Sequence, residues 1–440
     1  MPHSAPKHTQ AVRPTKDRRS PGRDVTGPRR HRGAAAVAFA LALCCVPLAM
    51  PAGGAVPAAD DVATPATGRE RDYSAVAAHA QRLAARVVNE TRVPGLAMAM
   101  VHGDEVLFAE GWGLTGGGRN DRIGGDTVFR VASLSKAFAS TLAAQLVREG
   151  ALRWDTRIAD HLPAFKLKDD AAAQVLTVEE ILSHRVGLPY NTFDRLLEQD
   201  EPYPLLIAKL DVIKPLCGVG DCYAYQNVAF SLIGDMVFAV TGDFYSHQVE
   251  RRLFHPLGMY TATFGRDALE ASASWARPQV RGRNGWQVVR AKETYYRIPP
   301  AAGVNASVRD MAQWMIAQLG HRPEVLPPSL VEEVQRPRVA TPDQLSGSAW
   351  RRERLKDAYY ALGWRVYDYA GTRIVYHAGA VQGYRAQLAL LPDQDVGIVV
   401  LWNAETGIPG GLLPTIVDRV LQLPARDWLQ LDRHRRRAGS

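Results

Sequence analysis

Phe129-Arg130-Val131-Ala132-Ser133-Leu134-Ser135-Lys136 is the stretch where this chain turns from an extended run into a helix. The extended run covers 126–131. Beyond it Phe138, Leu142 and Leu146 recur at i, i+4 and i+8, which is one face of a helix. Ser133 therefore falls in a first turn, where backbone N–H groups lack intrahelical partners and the dipole favours negative charge. Lys136 follows one turn later on the same face. A hydroxyl with an amine beside it and free N–H groups around it has the parts of an activated nucleophile with half an oxyanion hole.

A Ser-x-x-Lys spacing arises by chance about once or twice in a chain of this length. Ser4 and Lys7 match it too, inside a leader that carries no catalytic context. Ser133 and Lys136 gain weight from what accompanies them further along.

The net charge is +8, but nine Lys/Arg against two Asp/Glu within residues 1–58 supply +7 of it, leaving +1 for the body. Charge thus gives no case for a nucleic-acid partner. The leader reads as a secretory signal: a basic start, an apolar run at 34–50 broken by Pro47, then small residues to Ala59. Cleavage is expected after Ala58, giving a periplasmic or secreted protein with no stable membrane span; an uncleaved anchor or a lipoprotein at Leu41-Ala42-Leu43-Cys44 are the lesser alternatives. Cys217 and Cys222 alone remain in the mature chain. They either pair, closing a ring over Gly218-Val219-Gly220-Asp221, or stay as free thiols. Without clustered histidines they do not suggest a metal site.

After a flexible start at 59–72, Tyr73, Val76, Ala80, Leu83 and Val87 mark a helix. Segments 96–101 and 106–112 read as a hairpin around His102-Gly103-Asp104-Glu105. Residues 151–320 read as mostly helical, with capping signals at Thr177-Val178-Glu179-Glu180 and Ser307-Val308-Arg309-Asp310 and helices at 205–213 and 229–240. The Pro-rich stretches 322–328 and 337–342 read as surface loops. Four strands follow, at 360–368, 373–377, 385–391 and 396–403, then a helix at 412–423 and a solvated basic tail. Strands at both ends with helices between predict an α/β (α+β) fold, an antiparallel sheet flanked by N- and C-terminal helices. The expected division is a sheet domain of 73–131 and 321–425, an inserted helical domain of 132–320, and a tail of 426–440.

Two further stretches complete a constellation: Tyr225-Gln226-Asn227 and His377-Ala378-Gly379. With Ser133-x-x-Lys136 they resemble, in order, the Ser-x-x-Lys, Tyr-x-Asn and Lys/His-x-Gly triplet of the serine β-lactamase and penicillin-binding-protein superfamily. The class C-like branch is the most similar, a branch that also holds D-alanyl-D-alanine carboxypeptidases, D-aminopeptidases and esterases of β-lactamase fold. Val93-Pro94-Gly95-Leu96, Asp126-Thr127-Val128-Phe129-Arg130, Ile181-Leu182-Ser183-His184, Gly187-Leu188-Pro189 and Pro256-Leu257-Gly258-Met259 look like further landmarks of the family, so that the likeness covers roughly 73–423. Arg185-Val186 before Gly187, and His377 where class C β-lactamases carry Lys, depart from the pattern.

The resemblance implies an acyl-serine mechanism that needs no metal or organic cofactor. Ser133 would be the nucleophile, Lys136 its base and Tyr225 the proton carrier. Asn227 and His377 would hold the substrate, with Gly379 and Ala380 on the oxyanion strand. With a histidine in the third motif, Tyr225 has one fewer cation to depress its pKa, so it is expected to stay protonated at rest. A small-molecule or peptide substrate is implied: a β-lactam first, a D-amino-acid peptide or an ester as alternatives. A penicillin-binding sensor that never turns over is the non-enzymatic rival. An α/β-hydrolase is excluded by the lack of Gly-x-Ser-x-Gly, and a metallo-β-lactamase by the lack of clustered histidines. Arg385 is weighed as a carboxylate grip against an ordinary surface arginine; His184 and His255 read as structural.

Overall fold

Alternation along the first strand serves two cores at once. Leu96, Met98 and Met100 join one buried cluster, while Ala97, Ala99 and Val101 join the other. A strand that is apolar on both faces belongs inside a sheet covered on both sides, and that is where this one lies. The structure, a computed structural model, describes residues 72–431. The expected signal at 1–58, the flexible start up to residue 71 and the basic residues 433–437 lie outside the described residues.

Helix α1 (Ser74–Thr91) leads into β1 (Gly95–His102) and β2 (Glu105–Gly113). Then come β3 (Phe129–Arg130), α2 (Ser135–Arg148) and a run of short helices. That run is interrupted by β4 (Thr263–Phe264), the hairpin β5 (Gln279–Gly282) and β6 (Gly285–Val288), and β7 (Val304–Ala306). The C-terminal part supplies β8 (Val339–Ala340), β9 (Leu355–Tyr360), β10 (Arg365–Tyr369), β11 (Thr372–Val381), β12 (Tyr384–Leu391) and β13 (Val396–Trp402), then a helix at Leu412–Val420. Eight of these strands form one antiparallel sheet in the order β2-β1-β13-β12-β11-β10-β9-β8. The N-terminal hairpin closes on the last strand, with Met98 opposite Val400 and Ala99 opposite Val399. Helix α1 and the Leu412–Val420 helix cover one face. Among the helices of the middle of the chain, Val308–Gln318 lies against β1, β2 and β13 on the other face, with α2 packed among the helices beyond it. The mixed helix and antiparallel-sheet fold expected from the sequence is the one found.

Several boundaries differ from expectation. The stretch 360–368 is not one strand but the end of β9, a turn, and β10. Tyr360, Leu362, Trp364 and Val366 keep an unbroken period of two through the turn, so patterning alone reads straight across it. Gly363 is the breaker: its φ is +71°, and a β-carbon there would lie 2.4 Å from the carbonyl oxygen of Lys136. The Pro-rich stretch 337–342 contains the edge strand β8, and Pro328–Gln335 after the other is a helix with proline at its start. The β5–β6 hairpin sits inside the region read as helical, turning at Arg283-Asn284, just before Gly285 with φ +113°. The start of the supposed tail is packed: Leu429 and Leu431 are buried, and the Trp428 indole donates to Asp418 at 2.9 Å.

Candidate active site

From Thr127 to Ala144 every residue is buried except Ser133. The serine occupies a 3₁₀ turn, Ala132–Leu134, immediately before α2. Ala132 has φ +51°, a left-handed conformation that costs a residue with a β-carbon about 1–2 kcal/mol. Its surroundings hold it there. The Ser135 hydroxyl donates to the Ala132 carbonyl at 2.6 Å and accepts from Val304 N–H at 3.0 Å, while Val131 N–H donates to the Val304 carbonyl at 3.1 Å. Strain kept at a single partly exposed hydroxyl is the pattern of a reacting group.

Strand β11 forms the facing wall. A β-carbon on Gly379 would sit 2.2 Å from the Val131 carbonyl oxygen and 3.2 Å from the Ser133 nitrogen, so only glycine lets strand and turn meet. Two tight hairpins fix which way the next N–H points. Tyr369 pairs with Thr372 across a two-residue turn, and Val381 with Tyr384 across another. The residues that close a two-residue hairpin exchange hydrogen bonds. Thr372, Ile374 and Tyr376 therefore face β10, whereas Val381, Gly379 and His377 face β12. Ala380 has the parity of the first set but lies past the end of β10. By that parity its N–H points away from β12 with no strand of the sheet opposite it, and Ala380 is exposed. Ser133 and Ala380 thus offer two N–H groups at one place, which is the requirement for an oxyanion hole.

Lys136 is fully buried on α2. Its Nζ donates to Asn227 Oδ1 at 2.7 Å and to the Ala301 carbonyl at 3.0 Å, and lies 4.7 Å from the centre of the Tyr225 ring. The serine hydroxyl is not among its hydrogen-bond partners. Burial lowers the lysine pKa to about 7, against the opposing pull of the Asp194 carboxylate, and Arg365 adds to the lowering. Burial raises the Tyr225 phenol above its usual value, offset in part by a hydrogen bond from the Ser133 side chain and by the charge of Arg365. The phenol is protonated at neutral pH, as the sequence reading anticipates.

The Tyr225 segment is anchored before it reaches the serine. Cys217 and Cys222 form a disulfide, settling the alternative left open by the sequence. The ring it closes is tied to the carbonyls of Arg185 and Gly187 through Gly220 N–H and Cys217 N–H, and Ala224 N–H donates to the His184 carbonyl.

His377 is placed differently from the expected substrate grip. Its Nδ1 bonds the Ala378 carbonyl at 2.8 Å and its Nε2 the Tyr360 hydroxyl at 3.2 Å. The Tyr360 hydroxyl also meets His184 Nε2 at 3.0 Å, and His184 Nδ1 accepts from Gln226 N–H at 3.1 Å. The two backbone ends set every proton in this chain. His184 donates to Tyr360, Tyr360 donates to His377, and His377 donates to Ala378. Both imidazoles are neutral, held well below the usual histidine range by burial and by the charges of Lys136 and Arg365. With both nitrogens engaged, His377 touches Tyr225 only ring to ring, at 6.4 Å.

Asp194, Tyr360 and Arg365 escaped the sequence reading. Asp194 Oδ2 accepts from Asn227 Nδ2 at 2.6 Å. Arg365 lies 5.6 Å from the centre of the Tyr225 ring and 5.5 Å from that of Tyr360. An acid in the first turn of a helix and an arginine opening a strand carry no signal that separates them from solvated residues. Beyond Ala380 opens a cavity of about 320 Å³ lined by Arg130, Lys292, Arg385, Glu198 and Glu405 among others. Asn403 instead braces the fold, donating to the carbonyls of Leu114, Thr115 and Arg277 at 3.2 Å each. His255 is exposed. Among the described residues no cluster of three or more His, Cys, Asp or Glu could hold a metal ion, and no helix is long and apolar enough to cross a membrane.

Known proteins share this fold. The sequence profile described as Beta-lactamase matches residues 75–420. The chain belongs to the beta-lactamase family. Among its relatives, the unguisins hydrolase ungD' of Aspergillus campestris is 26% identical over 340 residues, covering 73% of this chain and 61% of that protein. The chain thus spans about three fifths of the length of the first curated relatives it matches. Penicillin-binding protein 4 of Amycolatopsis lactamdurans is 27% identical over 331 residues, covering 74% of this chain and 85% of that one. The class C beta lactamase of Rhodobacter sphaeroides superposes with a TM-score of 0.62 at 23% identity, over 79% of this chain and 99% of that one, a likeness of fold. As a member of this beta-lactamase family the chain has proteins named as hydrolases among its relatives.

Proposed function

We propose that this beta-lactamase-family protein is a serine hydrolase that opens an amide or ester through an acyl-enzyme on Ser133, with a β-lactam as the first substrate to test. The observation that carries the reading is the meeting of Ser133, Tyr225 and the Ala380 N–H in one opening, backed by a lysine with a pKa of about 7.

In the proposed reaction Ser133 Oγ attacks the carbonyl carbon. Its proton passes to the Tyr225 oxygen while the phenol's own proton moves to the neutral amine of Lys136, which lies against the same ring. The carbonyl oxygen gains its negative charge between the N–H groups of Ser133 and Ala380. Collapse breaks the carbonyl–heteroatom bond, and the proton held on Lys136 returns through Tyr225 to the leaving group. Water then repeats the sequence, releasing the acid and restoring the serine. One hydrogen of the Asn227 amide is engaged by Asp194, leaving the other for a substrate carbonyl. His377 sets the chain of hydrogen bonds behind Tyr225 and Tyr360 without touching substrate.

A second reading, a peptidase acting next to a terminal carboxylate, is favoured by Lys292 and Arg385 in the cavity beyond Ala380. Incubation with a chromogenic cephalosporin, a D-Ala-D-Ala peptide and a p-nitrophenyl ester, with mass spectrometry of the intact protein, separates the cases. Sustained turnover with an adduct lost in Ser133→Ala supports a hydrolase. A single stoichiometric burst identifies a penicillin-binding sensor, and turnover that survives Ser133→Ala overturns the proposal.

A further inference from the structure

We propose that Asp194 is a positioning residue of the Ser133 centre: it holds the Asn227 amide with its oxygen turned toward Lys136, and it supplies the negative charge that balances the lysine ammonium. The inference rests on the serine-hydrolase reading above and deepens it.

The chain of contacts has one possible direction. Asp194 Oδ2 lies 2.6 Å from Asn227 Nδ2, and Asn227 Oδ1 lies 2.7 Å from Lys136 Nζ. An ionised carboxylate only accepts and an ammonium only donates. The NH₂ end of the amide must therefore face Asp194 and the oxygen must face Lys136; the reverse orientation sets donor against donor and acceptor against acceptor. Without Asp194 the amide has no fixed end.

The backbone around Asp194 is built to deliver it there. Asn191 and Phe193 have φ of +53° and +67°, and Asn191 N–H donates to the Tyr225 carbonyl at 2.8 Å, tying this turn to the Tyr-x-Asn segment itself. Asp194 then opens a helix of five residues, Asp194–Glu198, and sends its carboxylate across to Asn227. Its Oδ1 is buried without a hydrogen-bond partner.

The groups facing the pair come from every surrounding element. Lys136 meets the Tyr225 ring, the charge of Arg365 and the two neutral histidines His184 and His377. Asp194 meets Lys136, Glu198 and Tyr295. Among the described residues, the charges acting on Lys136 are those of Arg365, positive, and Asp194, negative. Burial raises Asp194 to about 6, so the two groups titrate as a coupled pair in neighbouring steps.

Asp194→Asn and Asp194→Ala separate charge from orientation. Asp194→Asn keeps an acceptor for Asn227 and removes the charge. The lysine then gives up its proton at lower pH, so the acid limb of acylation moves down by about one pH unit, an opposite charge at this range being worth that much. Asp194→Ala also frees the amide, and acylation falls about 100-fold at every pH, the scale of a misplaced reacting group. Adding Asn227→Ala to Asp194→Ala then costs little more.

The titration of Lys136, followed by NMR on ¹³C-lysine-labelled protein with Lys136→Arg for assignment, reads the same effect without turnover. A lysine titration and acid limb unmoved in Asp194→Asn overturn the proposal, as does Asp194→Ala acylating within twofold of wild type. Should Asp194→Ala fail to fold, Asp194→Asn decides alone. Retained turnover in Ser133→Ala, by contrast, defeats the hydrolase reading and leaves the lysine titration as a separate result.

Discussion

Gly379 and Val131 are so close that a single added carbon would lie 2.2 Å from the Val131 carbonyl oxygen. The contact sets the distance between the oxyanion strand and the nucleophile turn, since Ser133 and Ala380 are each one or two residues away. Gly379→Ala must push β11 off that turn, because its obstacle is backbone and not a flexible side chain. We expect acylation to fall by about 100-fold, with a loss of about 1–3 kcal/mol in stability from overpacking. Stopped-flow acylation together with urea unfolding checks both; a variant that acylates at the wild-type rate would show that Ala380 takes no part in the oxyanion hole.

Lys136 gives the protein a pH dependence of predictable sign. Acylation needs the neutral amine, so its rate rises with pH through about 7 as the ammonium loses its proton. Stability follows in the same direction. The folded pKa lies below the unfolded value of 10.5, so between these limits the unfolded chain binds the extra proton and stability climbs with pH. Lys136→Met removes this contribution to the slope and abolishes acylation. Melting temperatures of both proteins from pH 6 to 9 test it, and parallel profiles would mean that Lys136 stays charged in the fold.

How much of this was legible in the sequence divides along physical lines. The continuous apolar run at 96–101 and the period-four stripe of Phe138, Leu142 and Leu146 mark burial, which is written into residue type. Ser133, Lys136, Tyr225 and Asn227 could be paired up because each lies in a short motif. Asp194 and Arg365 lie in none, and their roles exist only once distant segments meet: Asp194 and Asn227 are 33 positions apart, Arg365 and Tyr225 farther still. Tyr360 reads in sequence as one more strand residue, because a hydroxyl linking two histidines looks the same there as one facing a core. The Gly363 turn was hidden by an alternation that continues through it.

The Tyr360 hydroxyl is the single link between two buried imidazoles. Tyr360→Phe leaves His184 Nε2 without an acceptor and His377 Nε2 without a donor, at a cost of about 2 kcal/mol or more. In the wild type both histidines are held neutral, well below their unfolded value of 6.5. The unfolded chain therefore takes up protons that the folded chain refuses, and stability falls as pH drops below about 6.5. Chemical denaturation at pH 7.5 and 5.5 measures both effects. If His377→Gln shows the same acid loss as wild type, the titrating group lies elsewhere.

Arg385 bears on the substrate. Its Nη1 donates to the Val381 and Tyr384 carbonyls at 2.8 and 2.7 Å, bracing the guanidinium across the β11–β12 turn at the mouth of the cavity beyond Ala380. Burial lowers its pKa, yet an arginine stays charged at any working pH. A braced guanidinium beside the oxyanion strand is suited to a carboxylate next to the scissile bond, and such a charged hydrogen bond contributes roughly 1.5–3 kcal/mol. Arg385→Ala should then raise KM about 10–100-fold for a carboxylate-bearing substrate, leave kcat near its wild-type value, and leave an uncharged p-nitrophenyl ester unaffected. Equal losses on both substrates would assign Arg385 to the turn it braces. A loss confined to the carboxylate substrate would place the substrate's acid group in this cavity.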